Sequence, residues 1–162
     1  MNIFALDADP VQAAQYANDP HCRKMVLESA QILSTATWLT DCDLAETLYG
    51  ASKIYAPTHP GHPSVQWAAA SCQNWLWLKS YALALEAERL YRFPHYKPHK
   101  SAEIIRRMPT PPIPDCSLQP FALAFKSDLE YPADPIQAYR AYYRTEKSHL
   151  AQFTRRGFPP WW

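Results

Sequence analysis

Between Asp19 and Leu39 the polar positions fall into a row. His21, Lys24, Glu28 and Gln31 follow one another at spacings of three, four and three. On a 3.6-residue helix that spacing stacks them along one face. Met25, Val26, Ala30 and Leu33 fill another face, with Leu27, Ile32 and Trp38 adding to it. A surface helix usually turns a wide band of mixed charge to water. Here a narrow polar row lies on a mostly apolar body, so the row is expected to face an enclosed polar site. The competing reading is an ordinary surface pair, since Lys and Glu at i, i+4 stabilise a helix by only a few tenths of a kcal/mol. Asp19 suits an N-cap and Pro20 a first turn, which predicts a helix from Pro20 to about Leu39.

The same cap-plus-proline signal opens two more helices, one from Pro10 to about Ala17 after Asp9, and one from Pro135 to about Phe153 after Asp134. Asp41 to Tyr49 holds a further helical turn or two, ending at Gly50, and a loop follows over 51–63. Ser64 is read as the cap of the longest helix, to about Arg92, on the periodicity of Val65, Trp67, Ala68, Trp75, Leu78, Ala82, Leu85 and Leu90. Phe93-Pro94 ends it. A short helix runs from Ser101 to Met108, and residues 109–120 are too rich in Pro to be regular. Phe121, Leu123 and Phe125 alternate, in a stretch that reads equally as loop. The expectation is one mainly-α domain over 1–162, with long Pro-rich loops and a short extended N-terminal segment at residues 2–6.

Composition narrows this picture. Three Gly against sixteen Pro argue against a sheet protein with many tight turns and against a glycine loop for phosphates. The four cysteines are far apart and form no Cys-x-x-Cys pair, so neither a zinc knuckle nor a redox motif is indicated. No apolar run is long enough to span a bilayer, and the first residues lack the basic and apolar parts of a signal peptide; a cytoplasmic protein is expected. Net charge is +1, yet residues 1–50 hold seven Asp/Glu and two Lys/Arg, while 51–108 hold eight Lys/Arg and three Asp/Glu. Arg89, Arg92, Lys97, Lys100, Arg106 and Arg107 alternate with Tyr91, Phe93 and Tyr96. Basic residues among aromatics suit a nucleic-acid surface, and charge alone suits a solvated face.

Candidate chemistry centres on the row. Glu28 beside Lys24 can act as general base or charge stabiliser, and a desolvated Lys24 as a Schiff-base nucleophile. The helix dipole disfavours a charged His21 in the first turn. Asp7 would close the group from the N-terminal segment. In Thr58-His59-Pro60-Gly61-His62-Pro63, the prolines forbid a helix that would align His59 with His62. A metal needs three or four converging ligands, which here would have to include Asp7, Asp9 or His21. A loop contacting a ligand is the preferred reading, with no metal and no cofactor. Trp67, Ser71 and Asn74 offer an aromatic wall with polar readers for a base, against which core packing of Trp67 must be weighed. Lys97 and Lys100, with the tail Arg155 to Trp162, offer a grip on a backbone.

The start Met-Asn-Ile-Phe-x-Leu-Asp-x-Asp-Pro resembles a family of small proteins common in bacteriophage genomes. So do Asp19-x-His21-x-x-Lys24-Met25-x-x-Glu28-x-x-Gln31, Tyr55-x-Pro-Thr-His-x-x-His62-Pro63 and His99-Lys100-Ser101. More remotely, the layout is similar to pyrimidine-dimer DNA glycosylases of the phage endonuclease V type. These are all-α proteins with an Asp-x-His near a helix start and a catalytic Glu seven residues after the His. Asp19, His21, Glu28 and Gly61-His62 match that pattern. The resemblance implies that an N-terminal amine attacks the sugar C1′, that Glu28 stabilises the cation, and that β-elimination nicks the strand. Asn2 departs from the family's small second residue and predicts that Met1 is kept; Leu27 and Gln31 stand where the family carries Arg.

These readings predict a DNA-repair or DNA-modification enzyme. Glu28 is its central carboxylate, the Met1 amine or Lys24 its nucleophile, and His21 orients the substrate. Asp7, Gln31, His59, His62, Trp67, Asn74, Lys97 and Lys100 are expected to contact it. The alternative is a nucleotide-binding module that sequesters or modifies a small nucleotide without cutting DNA, favoured by the near-neutral charge. A third reading is an interaction protein whose aromatic tail docks a partner.

Overall fold

The computed structural model describes residues 1–51 and 53–162. Ser52, inside the loop expected over 51–63, lies outside the described residues. The described residues form a mainly-α fold of seven α-helices with no strand: α1 Pro10–Tyr16, α2 Asp19–Thr40, α3 Cys42–Gly50, α4 Pro63–Ala70, α5 Cys72–Arg92, α6 Lys100–Arg107 and α7 Pro135–Thr145. A short 3-10 turn, Ser148–Leu150, follows α7.

The two long helices, α2 and α5, pack against each other at the centre, with α1 on α5 and α3, α4 and α6 on α2. Met25, Val26, Ile32 and Leu33 of α2 meet Trp75, Leu78, Tyr81 and Leu85 of α5 in the core. Burying each of these side chains contributes roughly 1.5–3 kcal/mol, so the apolar face of α2 fixes its rotation and with it the aim of the polar row.

Where helix boundaries differ from expectation, a tertiary partner decides. The helix expected over 64–92 is two helices, broken at Ser71, which is extended at φ −149° and ψ 143°. The 115–117 segment makes the break: Cys72 N donates to Asp115 O at 2.7 Å, and Ser71 Oγ donates to Ser117 O while accepting from Gln73 N. Cys72 and Cys116 are disulfide-bonded at the same junction. The N-cap of α2 is Asn18, accepting from His21 N at 3.0 Å, because Asp19 is drawn into an ion pair with Arg92. His62 rather than Ser64 caps α4, and His99 rather than Ser101 caps α6, each accepting through Nδ1. The last helix stops at Thr145, short of Phe153. Among the described residues no helix is long and apolar enough to cross a membrane.

The N-terminal segment lies buried across this framework. Asn2 Oδ1 accepts from the N–H groups of Ile3 and Phe4 and from the Tyr139 hydroxyl at 2.9 Å. These bonds hold a sharp bend at Phe4, whose φ of 52° lies in the left-handed region that bulky residues avoid. A backbone strain of this kind costs on the order of 1–3 kcal/mol. It is offset by packing of the Phe4 ring on His21, Tyr139 and Tyr143. The bend turns Met1 and Asn2 back over α2.

Candidate functional site: an amine and carboxylate cleft

Glu28 stands where the N-terminal segment crosses α2, and it is only 9% exposed. Three donors surround its carboxylate. Asn2 N donates to Oε2 at 3.0 Å, Lys24 Nζ sits 3.1 Å from Oε1, and the Met1 ammonium is 3.8 Å from Oε2. Lys24 itself is 70% exposed, so the pair joins a buried acid to a solvated amine. Above them opens a cleft of about 400 Å³. Its walls are Met1, Asn2 and Phe4 from the N-terminal segment, Pro20, His21, Lys24, Met25 and Glu28 from α2, and Tyr142, Lys147 and Leu150 from the end of α7 and the turn beyond.

His21 is buried on the same wall, one turn before Lys24. Its ring stacks on Phe4 at 4.2 Å between centroids, 9° from parallel, and Nδ1 shares a 2.6 Å hydrogen bond with the Tyr143 hydroxyl. Burial pushes the imidazole down to about 4, and the nearby Lys147 and Lys24 charges push the same way. The ring is therefore neutral near pH 7, and the Tyr143 phenol keeps its proton because burial raises it. Tyr142 adds an aromatic face: it stacks on Phe125 at 4.3 Å, and Lys147 Nζ lies 5.2 Å from its ring centre.

The cleft thus joins four features. It has a buried carboxylate with two amines on it, a neutral imidazole, a flat aromatic wall, and lysines on both rims. A neutral amine there can attack an electrophilic carbon while Glu28 takes its proton or balances the cation that forms.

The structure brings together Met1, His21, Lys24 and Glu28. Of the other expected contacts, His62 alone stands beside this group; the rest lie elsewhere. Asp7 ion-pairs with Arg140 at 2.9 Å and caps the turn at Asp9. Gln31, farther along the row, is half-buried and not part of the cleft wall. His62 stands nearby: burial lowers its pKa, followed by the charges of the N-terminal ammonium and His59, while Glu28 raises it. His59 is exposed and bonds Thr58 Oγ1. Trp67 and Asn74 are buried and structural. Trp67 Nε1 donates to Gln119 O, and Asn74 bonds Trp67 O and Gln119 N. Lys97 and Lys100 line a different hollow, beside Leu27. Among the described residues, no three His, Cys, Asp or Glu side chains gather as a metal site.

Two groups of residues were invisible to sequence reading. Phe4, Tyr142 and Lys147 reach the cleft from opposite ends of the chain, and only the Pro-cap signal of α7 hinted at an element there. Arg89 and Arg92, expected on a basic surface, are buried. Arg92 pairs with Glu88 at 2.7 Å and Asp19 at 2.9 Å, and Arg89 with Glu86 at 2.8 Å. The aromatic tail folds back on its own chain: Trp161 lies against Tyr16 and Tyr143, and Arg140 sits 5.4 Å over its ring.

Fold and site together define an all-α protein with an amine and carboxylate cleft. Comparison with protein-family models, curated proteins and solved structures finds no match to the chain.

Proposed function

We propose that the protein is a DNA-repair or DNA-modification enzyme working as a glycosylase and abasic-site lyase. One observation carries the reading: two primary amines, Met1 N and Lys24 Nζ, converge on the buried Glu28 carboxylate at a cleft of about 400 Å³. In this scheme a neutral amine attacks the sugar C1′ and the base leaves with the electrons of the C1′–N bond. The sugar ring opens to an iminium. Loss of the C2′ proton then expels the 3′ phosphate, and water frees the amine. Glu28 offsets the positive charge as it develops. His21, neutral and anchored by Tyr143, offers its Nε2 edge to the substrate. Tyr142, half-buried on the cleft wall, supplies a surface for a flipped base.

The test is incubation with ultraviolet-irradiated duplex and with abasic duplex, with borohydride added. A covalent adduct or a strand nick is expected, and absence of both removes the reading. The cytoplasmic expectation belongs to the same proposal. Thiol titration of freshly isolated protein tests it, because a closed Cys72–Cys116 bond is rare in a reducing compartment.

A second reading, a nucleotide-binding module without cleavage, is favoured by the net charge of +1, low for a DNA-binding protein. Calorimetry with mono-, di- and cyclic nucleotides separates the two. Tight nucleotide binding with no DNA affinity at low salt favours the second.

A further inference from the structure

We infer that the cleft continues over α2 into a second, cationic hollow, and that the two together seat a polynucleotide strand rather than a single nucleotide. This rests on the nucleic-acid reading above and names the extent of its ligand. The hollow measures about 430 Å³ and is lined by Leu27, Tyr55, Arg89, Lys97, His99 and Lys100 among others.

Helix geometry joins the two depressions. Leu27 lies one turn beyond Lys24, about 4.5 Å along the axis and about 60° around it. Lys24 borders the cleft and Leu27 borders the hollow, and both are exposed. They are neighbours on one shoulder of α2, so a chain leaving the cleft over Lys24 meets Leu27 next.

Glu28 sits at the foot of the cleft, and the charges from its rim onward are cationic. Lys147 and Lys24 rim the cleft, and Lys97 and Lys100 are exposed at the hollow. The carboxylate bonded to the hollow's wall, Glu86, is turned inward. It binds the Arg89 guanidinium at 2.8 Å, accepts from His99 N at 2.7 Å, and is 1% exposed. Arg89 also donates to Lys97 O at 2.7 Å. The buried pair thus pins the loop that presents the two lysines, and among the described residues no carboxylate lines the hollow. Leu27 and Tyr55 give its floor an apolar, partly aromatic surface that suits a sugar or base face, while the lysines suit phosphates.

Scale decides between a nucleotide and a strand. A helix with its side chains is roughly 10–12 Å across, and a strand advances roughly 3.4 Å per nucleotide, so crossing the shoulder takes about three nucleotides. The cleft and the hollow share no lining residue, so a mononucleotide seated in the cleft leaves the Lys97 and Lys100 hollow free.

The test uses a fluorescent 12-residue thymidine strand, the matching duplex and free dTMP. Wild type is compared with K97A/K100A and, as a charge-preserving control, K97R/K100R. Both positions are exposed, so the variants should fold; matching melting curves establish this. The expected result is that the salt dependence of single-strand binding, as log K against log salt, weakens by about 1.4 in K97A/K100A and stays near wild type in K97R/K100R. Affinity for dTMP should stay within two-fold of wild type. If strand binding persists with an unchanged salt slope in K97A/K100A but fails in K24A/K147A, the second hollow is overturned and the cleft reading stands. If wild type binds no strand or duplex at low salt, both fall.

Discussion

Two clusters of paired charges sit at the two ends of α2's first turns, and they are built to opposite ends. In one, Arg92 spends its donors on Glu88, Asp19 and the carbonyls of Ala17 and Gln15, while Arg156 holds Glu88 from the other side at 2.8 Å. Asp19 also accepts from Thr154 N and Oγ1. Burial alone would raise the Glu88 carboxyl; the hydrogen bonds from Arg156 and Arg92 overcome it and hold the group below its ordinary value. In the other cluster, Glu28 is also largely buried, yet the Lys24 side chain on it is solvated and the cleft lies open above. A closed ion network stabilises by satisfying every partner. An open one leaves charge where a ligand can meet it.

Breaking the closed cluster should give the largest effect. Arg92→Met leaves Asp19 and Glu88 short of their buried partner and is expected to cost about 3–5 kcal/mol, read from urea unfolding. A loss below about 1 kcal/mol would show that the network is not what holds α5 to the α1–α2 junction.

Acid titration separates the clusters next. The folded His21 pKa is about 4 against an ordinary 6.5, so the unfolded chain binds the proton first. Its contribution is fully present above pH 6.5 and is lost as pH falls toward 4, by about 3 kcal/mol in all. His62 and His99 shift the same way. Unfolding free energies between pH 7 and pH 4.5 should fall steeply in wild type and markedly less in His21→Leu. The carboxylate network should fail only at lower pH.

Glu28→Gln keeps an acceptor for Asn2 N but removes the charge. Adduct formation with abasic DNA should drop by about 100-fold or more, while stability changes by about 1 kcal/mol or less. Equal losses in stability and activity would make Glu28 a second structural carboxylate. Lys24→Met should change stability least, within about 0.5 kcal/mol, because the lysine end of this i, i+4 pair is solvated and Glu28 keeps its bond from Asn2 N.

The same contrast explains what sequence could reveal. Asp9-Pro10 and Asp134-Pro135 are local signals, and α1 and α7 start where they say. The row His21, Lys24, Glu28 was legible because helix periodicity is local. The break at Ser71 was not, since it depends on Asp115 and Ser117, more than forty residues away. Nor was the fate of Arg92, because a paired arginine and a free one read alike until Asp19, 73 positions off, is seen beside it. The far wall of the cleft, Tyr142 and Lys147, was hidden for the same reason.

The most direct measurement is to locate the bond. Protein trapped with borohydride on abasic DNA is digested, and the modified peptide is read by mass spectrometry. The account predicts the sugar remnant on the Met1 amine or on Lys24 Nζ. An adduct on a lysine away from the cleft, such as Lys53 or Lys79, or no adduct under conditions where the protein binds the DNA, would contradict it.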